Sequence, residues 1–195
     1  MTIYTIGQFV CRTFLSAFYH VEVIGKENLP KDKGVLLCCN HISNYDPPLL
    51  GAYLDRQVHF MAKQELFEKP ILKGLLPRLG AFPVRRGMGD KQALRTGIQY
   101  LKDGEILGLF PEGTRSKDGK IGKGLAGAGF FALRTDAAVV PCAIIGPFRR
   151  FKTVKMVYGK PIDFQALREQ KISADEATEV IMSEIRKLYE AHQRA

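Results

Sequence analysis

Three short runs constrain the fold of this chain more than anything else: residues 35–40 (VLLCCN), 105–110 (EILGLF) and 137–145 (AAVVPCAII). Side chains of a strand alternate between faces, so runs that are apolar at successive positions are apolar on both faces. Such strands need cover on both sides, which is the situation of central strands in a parallel sheet flanked by helices. Weaker strand-like runs lie at 21–24, at 57–62 and, nearer an edge, at 153–159. Helical patterning falls between them, at 47–54 and 90–103. A last helical segment begins at Ser173, with Glu176 three residues on as a capping box, and carries Ala177, Val180, Ile181, Ile185 and Leu188 at helical spacing. Residues 70–86 are Leu-rich with scattered cations. The alternation predicts an α/β fold with a largely parallel central sheet. At 195 residues, with no repeat, linker or low-complexity tract, one α/β domain over 21–195 is expected.

Ahead of it, residues 1–20 hold an amphipathic helix. Ile3, Ile6, Val10, Phe14 and Phe18, with Tyr4 and Leu15, fall in one arc, Thr5, Arg12, Ser16 and His20 fall opposite, and Phe9 is the exception. Two readings stay open: a helix packed on the domain, or an interfacial helix dipping its aromatic face into a bilayer. No uninterrupted stretch of 18 apolar residues occurs, so no membrane-spanning helix is expected, and the flanks are not those of a signal peptide.

The 29 Lys and Arg against 20 Asp and Glu leave a net charge of +9, which favours an anionic partner: nucleic acid, a lipid surface or a phosphorylated substrate. Between Glu68 and Asp90 there is no acid, while Lys69, Lys73, Arg78, Arg85 and Arg86 interleave with leucines; 149–160 is again basic without an acid. That mixture suits an anionic membrane surface, and the aromatics do not form a stacking platform for nucleic acid. Cys11, Cys38, Cys39 and Cys142 read as reduced core thiols of a cytosolic protein. The four histidines show no zinc-ligand spacing, so no metal is expected.

Two polar loops follow buried strands, where open α/β sheets bind their ligands. The first is N-H-I-S-N-Y-D-P-P at 40–48. Asp46 before two prolines reads as a helix N-cap, and its second oxygen can accept from His41, fixing the tautomer and leaving the other ring nitrogen as a base. The second is F-P-E-G-T-R-S at 110–116, where Glu112 and Arg115 bracket a Gly-Thr turn, as a polar-group site or a local ion pair. Gly122 to Gly127 matches G-x-G-x-x-G, but no apolar strand precedes it, so these small residues instead let a helix approach the sheet. No G-x-S-x-G elbow is present, and Ser43 is the only serine considered as a nucleophile.

Together these blocks resemble the 1-acylglycerol-3-phosphate acyltransferase family. N-H-x-S-x-x-D-P at 40–47, M-A-K-x-E-L at 61–66, G-A-F-P-V-R-R at 80–86, F-P-E-G-T-R-S at 110–116 and V-V-P-C-A-I at 139–144 carry the resemblance. It implies acyl transfer from a thioester, acyl-CoA or acyl carrier protein, to the sn-2 hydroxyl of lysophosphatidate, giving phosphatidate. By the same likeness His41 is the general base and Asp46 its orienter. Glu112, Gly113, Thr114 and Arg115 belong to the acceptor site, and Lys63 with Arg85 or Arg86 holds the phosphate, the family register favouring Arg86. The segment before the motifs is short beside members with membrane spans, which implies peripheral attachment at the cytoplasmic face. Thiolate is a good leaving group, so direct attack needs neither metal nor cofactor. The rival readings are another acceptor, such as glycerol 3-phosphate or a lysophospholipid, and a non-catalytic basic module that docks on membranes.

Overall fold

The computed structural model describes residues 2–85, 89–116 and 118–193. The chain runs α1 (Ile3–Phe18), β1 (His20–Ile24), β2 (Val35–Cys39), α2 (Asp46–Tyr53), β3 (Val58–Lys63), α3 (Pro70–Arg78) and β4 (Ala81–Val84). It continues with α4 (Lys91–Lys102), β5 (Ile106–Leu109), α5 (Gly127–Arg134), β6 (Ala138–Ile145), β7 (Thr153–Tyr158), α6 (Gln165–Glu169) and α7 (Ala174–Gln193). The strands form one seven-stranded sheet in the order β1-β7-β6-β2-β5-β3-β4. Every pairing is parallel except β6–β7, so β1 and β7 run against the other five strands. β7 is thus one strand in from the edge, covered by β1.

The three apolar runs are β2, β5 and β6, side by side at the centre, with every residue of β2 and β6 buried. Alternate side chains feed two cores. Val35, Leu37 and Cys39 meet Leu15 of α1 and Leu49 and Leu50 of α2 on one face. Leu36 and Cys38 meet α4, α5 and α7 on the other, through residues such as Leu101, Phe131 and Ile181. The capping box closes as expected: Ser173 Oγ accepts from the Glu176 N–H and Glu176 returns a carboxylate oxygen to the Ser173 N–H.

The predicted arc of α1 is divided. Tyr4, Cys11 and Leu15 face the protein, with Gln8 donating to the carbonyls of Gly51 and Leu54. Ile3, Ile6, Val10 and Phe14 face outward, and Phe9 joins them at 70% exposed. The helix therefore packs on α2 and still presents an apolar strip; the two readings were not exclusive. No helix among the described residues is long and apolar enough to cross a membrane.

The glycine-rich stretch serves packing of a different kind from that expected. A Cβ on Gly129 would lie 2.0 Å from the Ala174 carbonyl oxygen, and one on Gly124 would strike Thr178, so these glycines bring α5 and its approach against α7, not against the sheet.

Candidate active site

β2 and β5 are neighbours, but their chains depart to opposite faces, β2 into α2 and β5 towards α5. This divergence opens a crevice at the carboxyl ends of the strands, the switch point where α/β sheets bind ligands. Asn40 starts the departure. Its buried side-chain amide donates to the Ile144 carbonyl (2.9 Å) and accepts from the Ile144 N–H (2.7 Å), standing in for a strand peptide beside β6 while the chain turns out of the sheet. No role for Asn40 was visible in the sequence, beyond its place in the motif.

The turn brings His41 and Asp46 together, with Nδ1 at 2.7 Å from Asp46 Oδ2. The same oxygen accepts from the N–H groups of Ile42 (2.7 Å) and Ser43 (2.8 Å). Asp46 is fully buried, and its Oδ1 makes no hydrogen bond with the described residues. The expected second role as a helix N-cap is not taken up: Asp46 is the first residue of α2, Tyr45 is the cap, and the Leu49 N–H donates to the Tyr45 carbonyl instead. Since both prolines lack an N–H, the first turn offers the carboxylate little, and the loop N–H groups claim it. A carboxylate only accepts, so Nδ1 carries the proton and the lone pair lies on Nε2. The imidazole stacks on Phe110 at 4.1 Å, and Phe110 in turn lies against Phe60 at 6.0 Å. Gly108 makes this stack possible, because a Cβ there would lie 2.3 Å from the Phe60 ring.

The second loop is bolted to the first. Glu112 is buried; its Oε1 accepts from the His41 N–H (2.9 Å) and its Oε2 from the Gly122 N–H (2.9 Å). The Ser116 N–H donates to the His41 carbonyl at 2.8 Å, so both backbone groups of His41 are held by residues 112–116. Glu112 and Arg115 form no ion pair with each other; Glu112 turns inward while Thr114 and Arg115 are exposed on the rim. Gly113 has φ 66° and a Cβ there would meet Leu125 at 2.5 Å, so the turn requires glycine. Ser43 Oγ accepts from the Tyr45 N–H at 3.1 Å, a loop-shaping bond.

Lys63 ends β3 and Arg85 follows β4, both exposed, at the same carboxyl edge; Lys63 is in register with Val84. With strands about 4.8 Å apart, β3 stands about 10 Å from β2 across β5, a gap that long cationic side chains partly bridge. The Arg85 N–H donates to Asp90, which also caps α4. Arg86, the favoured phosphate ligand, lies outside the described residues.

An apolar cavity of about 360 Å³ begins at Asn44 and Pro47 of the first loop and passes between α1, α2, β3 and α3, lined by Tyr4, Gly51, Phe60, Ala62 and Leu76 among others. It had no single motif in the sequence. Only the packing of four separate elements creates it.

Residues 20–145 match the family model of the acyltransferases. Over 91% of the chain it is 36% identical to the 1-acyl-sn-glycerol-3-phosphate acyltransferase of Bacillus subtilis (strain 168), covering 92% of that protein. The chloroplastic LPAT1 of Arabidopsis thaliana, another 1-acyl-sn-glycerol-3-phosphate acyltransferase, is 33% identical over 74% of the chain, which spans 44% of its length. In structure the chain is similar to the crystal structure of the 1-acyl-sn-glycerophosphate acyltransferase PlsC from Thermotoga maritima, with a TM-score of 0.73, 29% identity, and coverage of 95% of this chain and 79% of that one. With more than half of its residues matched by the family model and most of its length by such a relative, the chain belongs to the acyltransferase family.

Proposed function

We propose that the chain is a 1-acylglycerol-3-phosphate acyltransferase, moving a fatty acyl group from a thioester to the sn-2 hydroxyl of lysophosphatidate. The observation that carries the mechanism is the 2.7 Å contact between His41 Nδ1 and Asp46, with Nε2 left free to act. Nε2 takes the hydroxyl proton as the oxygen attacks the thioester carbonyl. Asp46, itself held by two backbone N–H groups, stabilises the imidazolium. Collapse of the tetrahedral intermediate expels the thiolate, which recovers the proton from Nε2; no acyl-enzyme forms and no metal or cofactor is needed. An alcohol needs such a base to attack a thioester near neutral pH.

Lys63 with Arg86, or with its neighbour Arg85, takes the acceptor phosphate, and Gly113, Thr114 and Arg115 line the acceptor site. The apolar cavity receives an acyl chain; its volume lies within the roughly 300–1,000 Å³ of small-molecule sites. The outward strip of α1 docks on the cytoplasmic face of the membrane, where the acceptor resides. The donor is acyl-CoA or acyl carrier protein. The test mixes purified protein with lysophosphatidate and each donor and follows free thiol. Thiol release with lysophosphatidate but not with glycerol 3-phosphate or lysophosphatidylcholine supports the reading. Equal release with every acceptor, or none, removes it.

A further inference from the structure

We infer that the turn between β6 and β7, residues 147–152, is a second lipid-contacting element: it sets Phe151 into an anionic phospholipid surface and brings Arg149 and Arg150 to its phosphates. The inference rests on the proposed docking of α1 and extends it to a part of the chain about 130 residues away in sequence.

Phe151 is 61% exposed and has φ 61°, the left-handed region that bulky side chains rarely occupy. Its conformation is held by the fold: its N–H donates to the Phe18 carbonyl at the end of α1, and the Lys152 N–H to the Arg149 carbonyl. A large ring is therefore kept in a strained backbone position where it faces solvent. The Arg150 guanidinium lies 5.1 Å from the Phe18 ring and 4.9 Å from the Phe151 ring, and Phe18 packs on Phe14 at 4.8 Å. The apolar strip of α1 thus runs on through Phe14 and Phe18 to Arg150 and Phe151.

Arg149, Arg150 and Lys152 are exposed and make no ion pair among the described residues, and no acid occurs from 146 to 162. An aromatic tip beside stacked and free guanidinium groups matches the headgroup region of an anionic leaflet, where rings bury their apolar bodies and cations meet phosphates. Phe148 of the same turn touches Tyr45 of the catalytic loop at 5.9 Å, so the surface borders the site a lipid acceptor must reach.

The chain contains no tryptophan, so Phe151→Trp installs a single fluorescent reporter. Vesicles of equal parts phosphatidylcholine and phosphatidylglycerol, with brominated acyl chains in a parallel sample, should shift its emission to the blue and quench it. Cosedimentation of otherwise unaltered Arg149→Gln/Arg150→Gln protein should show roughly twenty-five-fold weaker binding to these vesicles, from about fivefold per cation. Its binding to pure phosphatidylcholine should hardly change. Quenching of a Phe9→Trp reporter without any at Phe151→Trp, or undiminished binding of the double variant, overturns the inference and leaves α1 docking intact. Quenching at neither position removes both.

Discussion

Glu112 holds His41 by its backbone: the carboxylate oxygen lies 2.9 Å from the His41 nitrogen, across 71 residues of sequence. With each oxygen accepting from a peptide N–H, Glu112 fixes the backbone that carries the imidazole.

Glu112→Ala should therefore lower kcat while leaving the KM for lysophosphatidate nearly unchanged. Leaving the part-buried His41 N–H and the Gly122 N–H without their partner should also reduce stability by about 1–3 kcal/mol. Steady-state kinetics with a denaturant titration checks both, and a rise confined to KM would return Glu112 to the substrate.

Asp46→Asn should cost more than its size suggests. Because the Ile42 and Ser43 N–H groups donate to the position facing Nδ1, the amide oxygen takes that place, and the neutral side chain no longer stabilises the imidazolium. A loss within the 10²–10⁴-fold range of general-base catalysis is expected in kcat, matching His41→Ala, with the fold intact by circular dichroism. Ser43→Ala should keep its activity, and mass spectrometry should find no acylated Ser43.

Replacing cations of the sheet edge should act on acceptor binding. Lys63→Gln, Arg115→Gln and Arg86→Gln should each raise the KM for lysophosphatidate by about tenfold or more, from charge-assisted bonds of about 1.5–3 kcal/mol, with the KM for the donor unmoved. Arg85→Gln measured beside Arg86→Gln decides between the neighbours.

Gly51→Val should shorten the acyl chain the enzyme prefers. Gly51 lines the apolar cavity and its nearest neighbour for a Cβ is the Tyr4 hydroxyl at 3.4 Å, so the added methyls project into open volume. Each methylene displaced should lose about 0.8 kcal/mol of binding, close to fourfold in kcat/KM, read from a series of donor lengths.

His59 makes folding stability depend on pH. Burial pushes its pKa below 6.5, against the opposing pull of Glu105, and it stacks on Tyr100 at 3.8 Å with Nδ1 unpaired among the described residues. The folded state binds this proton more weakly than the unfolded chain does. Its stability contribution is full above about pH 6.5 and declines as the pH falls towards the lowered folded value. The fall in Tm between about pH 8 and about pH 5 should be smaller in His59→Phe.

The central strands and both polar loops were legible because they are local. Residues 35–39 state double burial in five consecutive apolar side chains, and His41 with Asp46 lie five residues apart. The divided face of α1 was not legible, since helical periodicity groups Leu15 with Phe14 and cannot say that α2 arrives from one side only. Asp46 misled for a related reason: Asp-Pro suits a helix cap locally, while the N–H groups that claim the carboxylate belong to the loop before it.

By itself, the order of residues determined the layered α/β architecture and the residue types at the crevice, because burial patterns and loop chemistry are properties of neighbouring positions. Tertiary structure alone decided the clamp of Glu112 on His41, the apolar cavity and the junction of Phe151 with Phe18. Each joins segments far apart in the chain, and such contacts are set by which strands lie side by side, a choice no local pattern encodes.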